Sequence, residues 1–277
     1  IDQALAAALA DRNLNNVMVQ YFSSAITSTF RPSSVLPGSP PQTVDQSAAE
    51  QMLVTLHQQG KLQGYDLTQT VFCLALPSGT VLTDTGSGGG MNARVARAVG
   101  DTAVSSLQGL GGYHGAAQDG GTSIYYAIVV YGEHLSSGQD NGIVAFPTPW
   151  KNVVAAFYHE LNEARTDANV NGTPGWISNP ISDFGGQSVE VGDAPVFEAG
   201  QNLSLVFQEV PLTDGSGTVP VQFMWSNAVH GPEGPRATAD PRSPNGTPSG
   251  GGATWGIVLA ILAILALAVG AFFVFHH

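Results

Sequence analysis

The chain predicts an α+β fold, a mixed central sheet with flanking helices, joined to one C-terminal transmembrane helix. Three observations carry that expectation. Residues 150–170 place apolar side chains at helical spacing, with Val153, Val154, Phe157 and Leu161 toward a core. Two runs, Thr70 to Pro77 and Ser123 to Tyr131, are apolar on successive positions, as in strands covered on both faces. Trp255 to Phe275 carries no charged residue. Its length of about 21 residues suffices, at ~1.5 Å per residue, to cross a ~30 Å hydrocarbon layer.

The other elements follow in order. Residues 1–12 are rich in Ala and Leu and form a short helix. Asn16 to Thr29, with Val17, Val19, Tyr21, Phe22 and Ile26, enters the fold as a strand. Arg31 to Gln42 is a loop, marked by Pro32, Pro37, Pro40 and Pro41. Ser47-Ala48-Ala49-Glu50 reads as a capping box that opens a helix over 47–59, closed by Gly60, with His57 along that helix rather than in a site. Ser87 to Gly90 is a glycine-rich connection without the Lys-Ser/Thr ending of a phosphate loop. Leu203 to Val210 and Val219 to Trp225 are late strands around the turn at 213–217, and no internal repeat is visible. Residues 231–254 are rich in Pro, Gly, Ser and Thr with almost no large apolar side chain, a tether. The expected organisation is therefore a globular domain over 1–230, a tether over 231–254 and a membrane span over 255–275.

Composition excludes one large class. A net charge of −12 with only nine Lys and Arg residues leaves no basic stripe for a nucleic acid. The single cysteine, Cys73, cannot form an intramolecular disulfide and lies in an apolar run, so a buried inert thiol is expected. Arg236 and Arg242 before the span, against His276 and His277 after it, orient it only weakly. The chain begins at Ile1 rather than Met, as when a leader has been removed, which favours an extracytoplasmic domain, periplasmic or on the cell surface, with a single-pass anchor. Within the span, Ala266 and Gly270 form a small-residue pair suited to a close helix neighbour. The terminal histidines fall at the far interface, away from where pigment ligands lie.

The most informative stretch is 158–167, Tyr-His-Glu-Leu-Asn-Glu-Ala-Arg-Thr-Asp. His159 and Glu163 stand four apart and share a helical face, the spacing by which one helix offers two metal ligands. Glu160, next to the first ligand, takes the place of a general base. The second ligand position holds a carboxylate rather than a second imidazole. Zinc suits such a set, and its oxygen content also admits calcium or manganese. The plain alternative is a polar helix face satisfied by hydrogen bonds. Asp167, one turn further on, either orients His159 or Arg165 or caps the helix. Arg165 is expected to pair with a carboxylate. His134 and His230 sit in Gly/Ser-rich loops and are expected to be solvated, while Trp225-Ser226-Asn227 reads as structural.

Several separated segments together resemble a family of secreted bacterial proteins with a zincin-like helix, distantly similar to the plant phosphate-induced, or exordium-like, proteins. In order they are Gly112-Tyr113-His114, Tyr126 to Tyr131, His159-Glu160-Leu161-Asn162-Glu163-Ala164-Arg165-Thr166-Asp167, Glu190-Val191-Gly192-Asp193 and Trp225-Ser226-Asn227-Ala228. The resemblance implies an α+β domain with His159, Glu163 and Asp193 as metal ligands and Glu160 as base. His114, placed in a loop before the central strand, joins them as a further ligand or transition-state donor. Gly111 and Ala194-Pro195 stand where the resemblance implies cysteines, so a disulfide is missing and the loop at Asp193 is expected to be looser.

Two functions follow. One is a non-catalytic accessory subunit of a larger integral-membrane complex, such as an electron-transfer or light-harvesting assembly. The altered second ligand, the missing cysteines and the added span favour it. The alternative is a membrane-anchored metal-dependent hydrolase, a zinc peptidase in which Glu160 takes a proton from water.

Overall fold

A computed structural model describes residues 1–22, 26–84, 104–170, 172, 175–178, 189–235, 256–263 and 271–274. Helix α1 (Asp2–Ala10) forms as expected. The strand expected over 16–29 does not. Residues Arg12–Asn15 and Val17–Tyr21 are 3₁₀ turns, and among the described residues pairing begins at β1 (Thr27–Arg31). Local side chains capture the backbone here. Asp11 accepts the Asn13 N–H, and the Asn15 amide donates to the carbonyls of Leu9 and Asp11, an alternative to a ladder. Val17 and Met18 are buried all the same, so the apolar content marked the core correctly and its geometry wrongly.

The proline-rich loop contains an edge strand, β2 (Ser34–Pro37), where a proline is tolerated because one side of an edge needs no donor. After β3 (Thr43–Val44), helix α2 (Gln46–Gln58) is capped by Asp45, whose carboxylate accepts the Ala48 N–H at 2.8 Å, rather than by Ser47. The chain continues through β4 (Thr70–Ala75), β5 (Val81–Asp84) and β6 (Val104–Ser105). The hairpin of β7 (Gly112–Asp119) and β8 (Thr122–Val129) turns at Gly120-Gly121, both in the left-handed region that this tight turn demands. His114 thus lies on a strand and not in a loop. Short strands β9 (Glu133–His134) and β10 (Asp140–Asn141) precede the long helix α3 (Pro149–Thr166), which starts on a proline that gives up no helical hydrogen bond there. Then come α4 (Asp193–Ala199), the hairpin β11 (Phe207–Pro211) with β12 (Thr218–Gln222), and the pair β13 (Met224–Ser226) with β14 (Gly231–Glu233). Last are β15 (Gly256–Ala263) and β16 (Ala271–Val274).

The main sheet runs β2-β16-β15-β4-β8-β7, with β1 also paired to β15. Strand β4 is parallel to β8 and β15, whereas β7 is antiparallel to β8, so the sheet is mixed as expected. Alternation divides it into two faces. Val71, Cys73 and Ala75 pack with Leu5 and Leu9 of α1 and Phe157 and Leu161 of α3. Phe72, Leu74 and Leu76 pack on the other face with Leu53 and Leu56 of α2. Each Val, Leu or Phe side chain among them that is removed from water stabilises by about 1.5–3 kcal/mol.

The transmembrane helix expected at 255–275 is corrected by this sheet. Residues 256–263 are a strand lying between β1 and β4, parallel to both, and 271–274 pair with β2. No helix among the described residues is long and apolar enough to cross a membrane. The physical source of the misreading is that a strand set between parallel neighbours carries the same unbroken apolar run as a lipid-facing helix. With the span go the expectations built on it, namely a single-pass topology and an integral-membrane complex as partner. Of the expected tether, Gly231–Glu233 is strand β14, while 236–254 lies outside the described residues, as do Ser87 to Gly90, Ala266, Gly270, His276 and His277.

Candidate metal centre

Helix α3 crosses the sheet with His159, Glu160 and Glu163 turned toward β7 and toward the segment that leads into α4. All three are nearly buried, and His159 is the most open, with 12% of its side chain exposed. Its Nε2 lies 3.1 Å from Glu163 Oε2, 3.5 Å from Asp193 Oδ1 and 3.8 Å from Glu160 Oε1. Asp193 reaches this point because it is the first residue of α4, and the tight Glu190–Gly192 turn lays it against α3. Gly192 makes that approach possible. A Cβ there would stand 2.6 Å from His159 Nδ1 and 2.9 Å from Glu163 Oε1. Its N–H donates to Glu163 Oε1 at 3.0 Å, and Trp225 N–H holds the neighbouring Val191 carbonyl at 2.8 Å. The loop expected to be loose without a disulfide is therefore buried and tied on both sides.

His114 arrives from the opposite wall on β7. Its Nδ1 faces Glu160 Oε2 at 3.3 Å and Glu163 Oε2 at 3.8 Å, and its Nε2 lies 3.4 Å from Glu190 Oε1. Nε2 donates to the main-chain carbonyl of Asp167 at 2.8 Å. Asp167, expected to orient His159 or Arg165 or to cap the helix, stands at the C-cap of α3, and the imidazole that its backbone carbonyl holds is that of His114. Its carboxylate instead accepts the Gly175 N–H. Arg165 corrects another expectation. Its guanidinium bonds Asn15, Asn162 and Ser28, all neutral, with no carboxylate partner among the described residues, and burial pulls its pKa down to about 10. Outside the site, His57 pairs with Asp119, and His134 pairs with Asp140 in the open. Cys73 is buried, which pushes its thiol up and away from reactivity.

Two residues that the sequence did not single out complete the centre. Gln222, on β12, is fully buried; its Nε2 donates to the carbonyls of Gly192 (2.5 Å) and Phe223 (3.3 Å). Its Oε1 is therefore the atom 2.8 Å from His159 Nδ1, so Nδ1 carries a hydrogen and Nε2 is turned to the carboxylates. The signal was a lone amide closing an apolar strand. Glu190, 1% exposed, has an Oε1 that accepts no hydrogen bond. It stands three before Asp193, inside the segment already noted, where the eye goes to the Gly-Asp pair.

Electrostatics define what the cluster can do. Four buried carboxyl groups, Glu160, Glu163, Glu190 and Asp193, face two imidazoles, with no lysine or arginine paired to them among the described residues. Burial alone would lower His159, but Glu163, Glu160 and Asp193 hold it well above the usual range. Burial likewise works against His114, yet Glu190, Glu160 and Glu163 raise it to about 10. Glu190 and Asp193 are pushed well up by burial and by neighbouring carboxylates, and Glu160 is raised by burial. Glu163 resists burial, because His159, His114 and the Gly192 N–H together keep it low. Two groups of donor atoms have mutual distances that admit an ion: His159, Glu163 and Asp193, and His114, Glu160 and Glu163. A His/Glu/Asp cluster capable of coordinating a divalent metal such as zinc is present.

The cluster forms one wall of a cleft of about 380 Å³. Leu107, Leu110, Ile143, Val144, Val196 and Phe207 supply much of the apolar remainder. No protein-family model, curated protein sequence or solved structure matches this chain.

Proposed function

We propose that this chain is a metal-dependent hydrolase, with peptides as its substrate class and zinc as its cation. The resemblance to secreted zincin-like proteins belongs to the same proposal. The observation that carries it is the convergence of His159 Nε2, Glu163 Oε2 and Asp193 Oδ1 at the wall of an apolar cleft, with a Glu160 oxygen on the same imidazole nitrogen. These three residues would hold the cation. A zinc ion bound there supplies a Lewis acid that polarises a carbonyl and lowers the pKa of water.

The chain's own groups do the rest. Glu160 is buried and its pKa is raised, so its carboxylate is a stronger base than an exposed one and accepts a proton from water at Oε1. Gln222 keeps His159 in one tautomer, and the Gly192 N–H keeps Glu163 in one orientation. His114, opposite Glu160, steadies the carboxylate through Nδ1. The apolar lining excludes water and suits a hydrophobic side chain next to the scissile bond.

Metal analysis of the purified chain, combined with hydrolysis of a mixed peptide library, tests this reading. Stoichiometric zinc with cleavage beside apolar residues is expected. Glu160→Gln should retain the first equivalent of zinc and lose about 10²–10⁴-fold in rate, the usual contribution of a positioned base. Cleavage undiminished in that variant, or a protein that takes up no metal, overturns the proposal.

A further inference from the structure

We propose that a second divalent cation binds beside the first, held by His114 Nδ1, Glu160 Oε2 and Glu163 Oε2, so that Glu163 bridges two sites and filling the second silences hydrolysis. The silencing rests on the hydrolase reading above, whereas the paired site does not.

Three features of the geometry point this way. First, the donors are aimed. His114 spends Nε2 on the Asp167 carbonyl, which leaves Nδ1 toward Glu160 Oε2 at 3.3 Å and Glu163 Oε2 at 3.8 Å. Donors about 2.0–2.2 Å from a shared ion stand roughly 3–4 Å apart, so little movement is asked of them. Second, Glu163 is divided. Oε1 is committed to the Gly192 N–H, and Oε2 faces both imidazoles, 3.1 Å from His159 Nε2 and 3.8 Å from His114 Nδ1. A single oxygen thus belongs to both donor groups. Third, carboxyl groups are left over. One cation is matched by Glu163 and Asp193. Glu160 and Glu190 remain, and Glu190 Oε1 is buried without a hydrogen bond, 3.4 Å from His114 Nε2 on the cleft wall. A second cation offsets that pair.

The sites fill in order. His159 has 12% of its side chain open to the cleft and His114 only 2%, so the second position is the deeper one. It must also share an oxygen with an ion already present and bear that ion's repulsion. Its effect follows from Glu160. A carboxylate that donates Oε2 to a cation is a poorer proton acceptor at Oε1, so the second equivalent removes the base.

The test uses the full chain stripped of metal by chelation and titrated with Co(II) and then, separately, with Zn(II). Calorimetry should read two equivalents, the second at least about tenfold weaker. Peptide cleavage should peak at one equivalent of zinc and fall about 100-fold at two. His114→Gln should keep the first equivalent and lose the second. Because His114 is buried, the wild-type chain supplies an independent measurement. Two Co(II) ions joined through Glu163 should couple and quench the paramagnetic signal seen at one equivalent. Saturation at one equivalent, two equivalents in His114→Gln, or simply additive signals in the wild type each overturn the paired site. A chain that binds two equivalents and cleaves nothing refutes the hydrolase and keeps the pair. Cleavage at one equivalent with no second binding does the reverse, and undiminished cleavage at two equivalents overturns the silencing.

Discussion

Gln222 uses both ends of its amide to join strand β12, the Gly192 turn and the His159 ring. Removing it leaves His159 Nδ1 without its acceptor and the ring free to rotate. Gln222→Ala is expected to weaken zinc binding by about 10–100-fold, measured by competition with a chromophoric chelator. An unchanged affinity would mean that packing alone fixes the ring. Protonation gives a second prediction. His114 is raised to about 10 in the folded state from an ordinary value near 6.5. A base raised on folding contributes stability that is fully present below the unfolded value and disappears as pH climbs through the folded one. Glu190 and Asp193, raised acids, act in the same direction, since the unfolded chain releases their protons sooner. In chelator, the melting temperature should therefore fall from about pH 6.5 to 10, and stoichiometric zinc should flatten that fall. A flat profile in chelator would contradict the upward shifts of His114, Glu190 and Asp193. At this scale His159, Glu163, Asp193, Glu160 and His114 were legible, because helical spacing and a few short motifs carry them. Gln222 was not legible, because its value lies in the Gly192 carbonyl and the His159 ring, both far away in sequence.

Among elements, α3 was the easiest to read, since its 3.6-residue period and Pro149 act over 18 residues. The strand expected at 16–29 failed because Asp11 and Asn15 compete for the backbone at a range that apolar counting ignores. The joint between elements matters most for the site, and one glycine tests it. Gly192 has φ −88°, so its backbone suits any residue, and only contact forbids a side chain. In Gly192→Ala the new Cβ meets His159 and Glu163 side-chain atoms held on a packed helix, so α4 must shift away from α3. A loss of about 1–3 kcal/mol is expected in urea unfolding of the metal-free chain. A weaker zinc affinity should accompany it, since Asp193 moves with the turn. Loss of stability with full affinity would show that Asp193 is not a ligand.

For the whole molecule, one sheet serves two cores. Val71, Cys73 and Ala75 look toward α3, while Phe72, Leu74 and Leu76 look toward α2. Strand β4 does both by alternation, and it is paired along both edges, to β8 on one side and β15 on the other. That arrangement is what sequence reading missed. Composition showed an apolar run over 255–275 but could not say whether protein or lipid covers it, because only a tertiary partner decides. The consequence can be measured by ending the chain after Pro235. Strand β4 then loses its register from Thr70 through Ala75, β1 loses its pairing, and β2 loses β16. An open, apolar, parallel edge results, of the kind that drives aggregation. The shortened chain is expected to melt well below the full one, to associate, and to bind zinc less tightly, because α3 rests on the same sheet. Equal melting temperatures and equal zinc affinity for the two chains would show that β15 and β16 do not support the sheet, and that the metal centre stands on residues 1–235 alone.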